Sequence, residues 1–194
     1  MPVDDFRDMF QARYEQGNVP WAVYDAHPHL KAWAEQMQLS GEGKKGLVVA
    51  CGLGDDAEYL ADLGFDVTAF DVVDSAIEQA KKRFPETTVD YHVADLFNTP
   101  DDWQQAFDFV VENRTIQSIP YEHYQKSINS IANFVAPAGR VIVLCHAREP
   151  QMPHGTLPWS LSTAELQDFE DAGLTQVSFE HLQGGRYFRV VYQR

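Results

Sequence analysis

From Gly46 onward, strand-like apolar runs alternate with helical segments, and no other feature limits the possible folds of the chain as strongly. The runs read "GLVVA", "FDVTAFD", "TVDYHVAD", "FDFVVEN" and "GRVIVLCHA", and a helical or short polar helical segment lies between each pair. Strands joined through helices form a parallel sheet with right-handed crossovers, covered by helices on both faces. The alternation therefore predicts an α/β fold built on a parallel sheet.

The C-terminal end of the chain departs from this rhythm. A helical segment at 163–172 is followed by two strand-like runs, "TQVSFEHL" and "RYFRVVYQR". Only the three residues "QGG" separate these runs. Because so short a connection can only join antiparallel strands, these runs predict a β-hairpin. The full prediction is a Rossmann-like, mostly parallel sheet of seven strands that is flanked by helices and ends in an antiparallel β-hairpin.

The residues before Gly46 have a different organisation. Residues 4–15 predict a helix, "EQGNVPW" contains the breakers Gly17 and Pro20, and 28–38 predicts a second helix. We expect residues 1–45 to form an N-terminal helical lid and residues 46–194 the core of a single domain. A chain of 194 residues is long enough to bury a hydrophobic core.

Charge and composition restrict the possible partners. The net charge of -14 argues against binding to nucleic acid or to an anionic membrane surface. The first residues, "MPVDDFRDMF", do not resemble a signal peptide, and no apolar run has membrane-spanning length. The two cysteines have no spacing typical of disulfides or zinc, and the histidines are scattered, so no metal site is predicted. We therefore expect a cytoplasmic protein. We also expect a monomer, since no helix shows sustained heptads or an unexplained apolar stripe.

A glycine-containing loop, "ACGLGDD", follows the first predicted strand. Open α/β sheets bind ligands at the carboxyl ends of their strands, and Gly52 and Gly54 allow a sharp turn and the close approach of a ligand. Asp71 ends the second strand, where its carboxylate can accept two hydrogen bonds from a ribose diol. Asp95 ends the third strand, where it could meet the amino group of an adenine.

The same loop also fits a dinucleotide-binding pattern. "GLGDDA" has a small residue at each required position, and Asp71 follows at about the expected distance. Against a dinucleotide stand the late start of the fold at Gly46, a length too short for a separate catalytic domain and the terminal hairpin. Asp55 and Asp56 also lie where a helix N-terminus would receive a pyrophosphate, whereas a cationic sulfonium is not repelled there. A small NAD(P)-dependent oxidoreductase is the alternative interpretation.

"LVVACGLGDDAEYLADLGFDVTAFD" resembles the cofactor loop of class I S-adenosylmethionine-dependent methyltransferases. It is most similar to the small thiopurine, thiol and halide methyltransferase-like branch, whose loop reads "LVPGCGxGxD". "YEQGNVPW", "FVAPAGRVIVL" and "GTLPWSLSTAEL" resemble the branch patterns "GxxPW", "LxPGGxLxxL" and "GPPWPLSxxEL". The departures are Val48, where most class I members carry an acid, and Ala50 in place of the first glycine.

The resemblance implies that S-adenosylmethionine is the cofactor and S-adenosylhomocysteine its product. Ala50, Gly52 and Gly54 would lie along the amino-acid and ribose parts of the cofactor. Asp71 would accept hydrogen bonds from the ribose hydroxyls, and Val72 would contact the adenine.

The resemblance also assigns cofactor contacts outside the glycine loop. Asp95 would accept a hydrogen bond from the adenine amino group, beside the backbone of Leu96. Glu112 and Asn113 would approach the methionine end. Trp21 would belong to the lid, as an aromatic cover that suits a sulfonium and excludes water.

Candidate residues for the chemistry follow the fourth and fifth strands. Arg114 could hold an anionic substrate or lower the pKa of a thiol, or it could be a surface arginine paired with Glu112. His146 is the candidate general base, although a lone histidine can equally be structural. Arg148 is a second cation in the same region, and Gln117 could orient a polar group or cap a turn.

These residues predict a methyltransferase that acts on a small molecule. Because methyl transfer is an in-line displacement, alignment and desolvation supply much of the rate. The branch resemblance favours a soft nucleophile such as a thiol, with Arg114 and Arg148 holding an anionic acceptor. The same arginines could hold the carboxylate of an amine or hydroxyl substrate while His146 takes its proton. A non-catalytic S-adenosylmethionine-binding scaffold is a further alternative, supported only by Ala50.

Overall fold

A computed structural model of the chain describes residues 3–22 and 24–194, with side chains from Arg7 onward. The described chain divides into two compact units, which we call the N-terminal unit, ending at Asn98, and the C-terminal unit, Thr99–Arg194. No helix among the described residues is long and apolar enough to cross a membrane.

The described residues of the N-terminal unit form four helices and three strands. In chain order they are α1 (Val3–Glu15), α2 (Pro28–Gln36), β1 (Lys45–Val49), α3 (Asp55–Asp62), β2 (Asp66–Asp71), α4 (Asp74–Arg83) and β3 (Asp90–Val93). β1 pairs in parallel with β2, and β2 in parallel with β3. The apolar residues of β1 after its first position are all buried, as expected of a parallel strand covered on both faces. α3 and α4 each turn one face inward, and Ala57, Leu60, Ala76 and Ala80 on these faces are fully buried.

The C-terminal unit contains the remaining strands. They and their helices are β4 (Phe107–Asn113), α5 (Tyr124–Phe134), β5 (Val135–His146), α6 (Thr163–Asp171), β6 (Thr175–Leu182) and β7 (Tyr187–Gln193). Short 3-10 helices lie at Asp101–Trp103, Ile116–Ser118 and Tyr121–His123. β4 pairs in parallel with β5, whereas β7 pairs in antiparallel fashion with both β5 and β6.

The predicted fold class is confirmed. The seven strands form one sheet in the order β3-β2-β1-β4-β5-β7-β6, and the hairpin β6–β7 is antiparallel. Some boundaries differ from the predicted ones. The helical segment between the fourth and fifth strands begins as a 3-10 turn after Pro120 and becomes α-helical at Tyr124, because a proline at this point favours a turn. The strand expected from Gly139 already begins at Val135.

Candidate functional site

The turn from Ala50 to Gly54 joins β1 to α3 and carries three left-handed residues. The φ angles are +48° at Ala50, +53° at Gly52 and +91° at Gly54. Glycine adopts such angles without steric cost, which explains the two glycines. The Cys51 N–H donates to the Phe70 carbonyl at 2.8 Å, so the turn is also tied to the end of β2.

Asp71, at the end of β2, is held against this turn. Its Oδ2 accepts from the Gly52 N–H and its Oδ1 from the Val73 N–H, both at 3.0 Å. The side chain is buried, and burial raises the pKa of Asp71 to about 6 although both backbone donors favour the charged form. The carboxylate is therefore mostly ionised at neutral pH, and each oxygen has acceptor capacity left. Those free lone pairs suit the two hydroxyls of a ribose.

Aromatic residues from the N-terminal segment pack on the glycine turn. Tyr14 is only 5% exposed and lies in one cluster with Leu53 and Val73, against which Trp21 and Val72 also pack. The Trp21 Nε1–H donates to the Tyr14 hydroxyl at 3.2 Å. A Cβ added to Gly52 would lie 2.9 Å from that hydroxyl, so the close approach requires glycine. The structure thus brings Trp21 to the turn through Tyr14.

The first turn of α3 is less negative than its sequence indicates. Arg83 pairs with both oxygens of Asp55, at 2.6 and 2.9 Å, and also donates to the Leu53 carbonyl at 2.7 Å. Asp56 accepts from the His27 N–H at 2.7 Å. Because the ion pair offsets the charge of Asp55, the electrostatic argument against a pyrophosphate at this helix is weaker than the sequence suggested.

The remaining predicted cofactor contacts of the N-terminal unit follow β3. The Asp95 Oδ1 accepts from the Phe97 N–H at 2.9 Å, and Leu96 is buried. The Ala94 N–H donates to the Asp71 carbonyl at 3.0 Å, so the residues after β3 are tied to the end of β2. The contact of Asp95 with an adenine stays a prediction.

In the C-terminal unit, β4 ends in a buried carboxyl group. Glu112 is fully buried, and its Oε1 accepts from the Ile116 N–H at 3.0 Å. Its Oε2 is buried with no hydrogen-bond partner among the described residues. Burial raises the pKa of Glu112 to about 7, against the effect of nearby backbone N–H groups and of Arg114. Asn113 follows it and accepts from the Arg114 Nε–H at 3.3 Å.

His146 ends β5 in the same unit. Its ring lies 4.7 Å from that of Tyr187, and its backbone N–H donates to the Gln117 Oε1 at 2.8 Å. Partial burial, and then the charge of Arg114, lower the pKa of His146 below its ordinary value of 6.5. The imidazole is therefore neutral at neutral pH and can accept a proton. The charge of Arg114 therefore acts on the His146 ring.

Arg148 is engaged by its own loop. Its Nε donates to the Ser160 carbonyl at 2.9 Å, its Nη1 donates to the Met152 carbonyl at 2.8 Å, and its Nη2 forms an ion pair with Glu165. Glu165 also completes the capping box of α6 with Ser162. All three guanidinium nitrogens thus hold the segment before α6 in place. The predicted contact of Arg148 with a substrate is not tested by these bonds and stays a prediction.

The strain at Ala50 gives a testable expectation. A residue with a Cβ is disfavoured at φ +48°, whereas glycine is not. We expect Ala50→Gly to raise the free energy of unfolding by about 0.5–1 kcal/mol, after the larger entropy of glycine in the unfolded chain is offset. Urea denaturation measures this change, and Ala136→Gly, at a position with no positive φ, serves as the control that should lose stability. Equal losses in both variants would contradict the strain argument.

The buried carboxyl of Glu112 predicts a pH-dependent effect on stability. Between its ordinary pKa of 4.5 and the folded value of about 7, the unfolded chain ionises and the folded one does not. The contribution of this group is therefore fully favourable below pH 4.5 and is lost as the pH rises through 7, by about 3 kcal/mol. Glu112→Gln cannot ionise, so we expect its stability to rise relative to that of wild type as the pH rises from 5 to 8. The exposed Glu86→Gln is the control, and parallel stability curves for wild type and Glu112→Gln would contradict the expectation.

The family comparison matches the part of the chain that holds the glycine turn. Residues 47–139 match a protein-family model described as a methyltransferase domain.

Among the described residues, no group of three or more histidine, cysteine or acidic side chains could hold a metal ion.

Two curated relatives are methyltransferases. The 2-heptyl-1-hydroxyquinolin-4(1H)-one methyltransferase of Mycobacteroides abscessus is 27% identical over 175 residues, which cover 85% of this chain and 75% of the relative. The ubiquinone biosynthesis O-methyltransferase of Dechloromonas aromatica is 26% identical over 151 residues, which cover 77% of this chain and 64% of the relative. The chain thus spans less than two thirds of the second relative.

A solved structure shares the fold over nearly the whole chain. The 1,6-didemethyltoxoflavin-N1-methyltransferase of Burkholderia thailandensis, with bound 1,6-didemethyltoxoflavin and S-adenosylhomocysteine, superposes with a TM-score of 0.79 at 18% identity. The superposition covers 99% of this chain and 88% of that one. Residues 47–139 thus match a methyltransferase domain, and the two curated relatives support S-adenosylmethionine-dependent methyl transfer as the activity of this chain.

Proposed function

We propose that the enzyme methylates an oxygen or nitrogen atom of a small heterocyclic molecule. The observation that carries this proposal is His146, a half-buried histidine whose lowered pKa keeps it neutral beside the cation Arg114. A neutral imidazole can take the proton that a hydroxyl or ring N–H loses when it is methylated. The names of the hydroxyquinolinone and didemethyltoxoflavin enzymes, whose acceptors are nitrogen heterocycles, support this class of acceptor.

For the cofactor we propose the residues around the glycine turn. Bound S-adenosylmethionine supplies an electrophilic methyl group on a sulfonium. Gly52 and Gly54 would line its amino-acid and ribose parts with Ala50, and Asp71 would accept from the ribose hydroxyls through its free lone pairs. Trp21, with Tyr14, would provide the aromatic cover.

Further cofactor contacts are proposed from the resemblance alone. These are Val72 and Leu96 at the adenine, Asp95 at its amino group, and Glu112 with Asn113 at the methionine end. The single-domain organisation, with residues 1–45 as a lid, is likewise a proposal.

A thiol is the second candidate acceptor, and the charge of Arg114 favours it. Against and beside the effect of burial, this guanidinium favours the charged carboxylate of Glu112 and the neutral ring of His146, so it would also favour the thiolate of a thiol bound beside it. A thiolate needs no general base, which makes His146 dispensable for such a substrate.

The two acceptor classes are separated by variants at His146 and Arg114. If the acceptor is an oxygen or nitrogen, we expect His146→Gln to lower kcat about 100-fold or more with 2-heptyl-1-hydroxyquinolin-4(1H)-one. The wild-type rate should fall as the pH drops through the His146 pKa, because the protonated ring cannot act as a base. The exposed His181→Gln is the matched control.

The opposite pattern supports the thiol. Arg114→Gln would then abolish methylation of thiols such as 2-mercaptoethanol, while His146→Gln would leave it unchanged. Full activity of His146→Gln on the hydroxyquinolinone would overturn the general-base proposal.

We also propose which partners the enzyme has and where in the cell it is found. The net charge of -14 supports an enzyme that does not bind nucleic acid. Cys51 and Cys145 are free thiols, which fits the reducing cytoplasm. We expect a monomer, and sedimentation velocity at several concentrations would detect any larger species.

A further inference from the structure

Gln117 is a fully buried polar residue that joins three segments of the C-terminal unit. It lies in the 3-10 helix Ile116–Ser118 after β4, with 0% of its surface exposed. Its side-chain Oε1 accepts from the backbone N–H of His146 at 2.8 Å. Its backbone carbonyl accepts from the Trp159 N–H at 2.9 Å. Gln117 is therefore held in place by the end of β5 and by the loop before α6.

These contacts fix the orientation of the Gln117 amide. Only the oxygen of the amide can accept from the His146 N–H, so the Nε2 group must point the other way. The Nε2 is buried and has no hydrogen-bond partner among the described residues. A buried donor without a hydrogen-bond partner lowers the free energy of unfolding. This loss is explained if the donor binds an atom of a ligand.

The positive charge of the connection that carries this donor favours an oxygen atom as its partner. Arg114 lies three residues earlier in the same connection, with its backbone N–H bonded to the Leu144 carbonyl at 2.9 Å. Its positive charge acts on His146, whose backbone contacts Gln117. An amide donor and a guanidinium together complement a carbonyl or deprotonated oxygen.

We propose that the Gln117 Nε2–H group binds an exocyclic oxygen of the methyl acceptor, and that the enzyme selects heteroaromatic acceptors that carry such an oxygen. This inference rests on the proposed function and names the polar feature by which the substrate is recognised. Selectivity follows because an acceptor without the oxygen leaves the buried amide donor unpaired, and sites of this kind discriminate strongly. Gln117 acts here as a binding residue and takes no part in proton transfer.

Calorimetric binding of two non-reacting probes tests the proposal. 4-Quinolone carries the exocyclic oxygen and quinoline lacks it, and both are titrated into the full chain in the presence of saturating S-adenosylhomocysteine. We expect wild type to bind 4-quinolone about tenfold more tightly than quinoline. Gln117→Met, which removes the donor at similar volume, should bind both probes equally.

Two further variants separate recognition from folding. Gln117→Glu keeps an oxygen for the His146 N–H but loses the amide donors, so at pH 8 it too should lose the preference for 4-quinolone. Ser118→Ala removes a hydroxyl that donates to the Arg114 carbonyl at 2.8 Å in the same turn, and it should keep the preference.

The outcomes of the probe experiment are independent of turnover. Equal binding of the two probes by wild type, or an unchanged preference in both Gln117 variants, would overturn the proposal and indicate that Nε2 meets only water. Methyl transfer to the hydroxyquinolinone could still occur in that case, so the proposed function would stand or fall on its own assay.

Discussion

Replacing Asp71 by alanine is expected to weaken S-adenosylhomocysteine binding by about 100-fold or more, as measured by calorimetry. Two hydrogen bonds to an ionised carboxylate are each worth about 1.5–3 kcal/mol, and the buried position of Asp71 limits replacement by water. The carboxylate is fixed before any ligand arrives, because Gly52 and Val73 each donate a backbone N–H to it at 3.0 Å. Ligand binding therefore has only a small free-energy cost for orienting the Asp71 carboxylate.

Two control variants keep this experiment interpretable. Asp71→Asn retains one oxygen for the backbone donors and should give an intermediate loss, whereas the exposed Asp66→Asn at the start of β2 should bind like wild type. Thermal unfolding of each variant shows whether the fold persists, since alanine leaves two backbone N–H groups unpaired. A folded Asp71→Ala variant that binds within threefold of wild type would contradict the assignment.

The affinity of wild type should also depend on pH in one direction. The pKa of Asp71 is raised to about 6, so acidification through that value neutralises the acceptor of the proposed ribose bonds. We expect affinity to fall as the pH drops from 7 to 5. Asp71→Asn should show a weaker dependence over the same range.

Gly54→Ala is expected to destabilise the folded chain by about 3 kcal/mol or more. At φ +91° an alanine costs about 1–2 kcal/mol in backbone strain, and its Cβ would lie 2.3 Å from the Tyr91 hydroxyl. Tyr91 cannot move away cheaply, because it is buried and its hydroxyl is bonded to Glu58 at 2.7 Å. Overpacking at such a site adds about 1–3 kcal/mol.

Gly43→Ala isolates the backbone part of this cost. Gly43 also has a positive φ, +71°, but an added Cβ would meet nothing within 4 Å. Urea denaturation should therefore give a loss of only about 1 kcal/mol for Gly43→Ala. Adding Tyr91→Phe to Gly54→Ala should recover part of the larger loss. Equal losses for the two glycine variants would mean that the contact with Tyr91 does not determine the residue at position 54.

The sequence predicted the fold because the fold follows from local patterns. The apolar run at β1 and the short turn between β6 and β7 are both properties of neighbouring residues. Gly52 and Gly54 likewise predicted a sharp turn, since glycine adopts the left-handed backbone conformation without steric cost. Ala50 adopts the same left-handed conformation with φ +48°, so its departure from the family pattern has a strain cost that leaves the turn intact.

The contacts that were not predicted join residues far apart in the chain. The pairing of Asp55 with Arg83, 28 residues away, changes the electrostatics of α3, and nothing local indicates it. The bonds of Arg148 to the Met152 and Ser160 carbonyls depend on the path of an irregular loop, which no periodicity describes. The periodicity of apolar residues identifies strands and helices. Contacts between side chains depend instead on which segments lie next to each other in the folded chain.

Methyl transfer itself tests the central claim most directly. The chain is incubated with methyl-labelled S-adenosylmethionine and 2-heptyl-1-hydroxyquinolin-4(1H)-one, with a thiol and with a mixed pool of small heterocycles, and the products are quantified by mass spectrometry. A methyltransferase of this kind is predicted to form S-adenosylhomocysteine and a singly methylated acceptor in equal amounts, and Asp71→Ala should form neither at a comparable rate. Binding of S-adenosylmethionine without transfer to any acceptor, or tight binding of a nicotinamide dinucleotide in its place, would contradict the account.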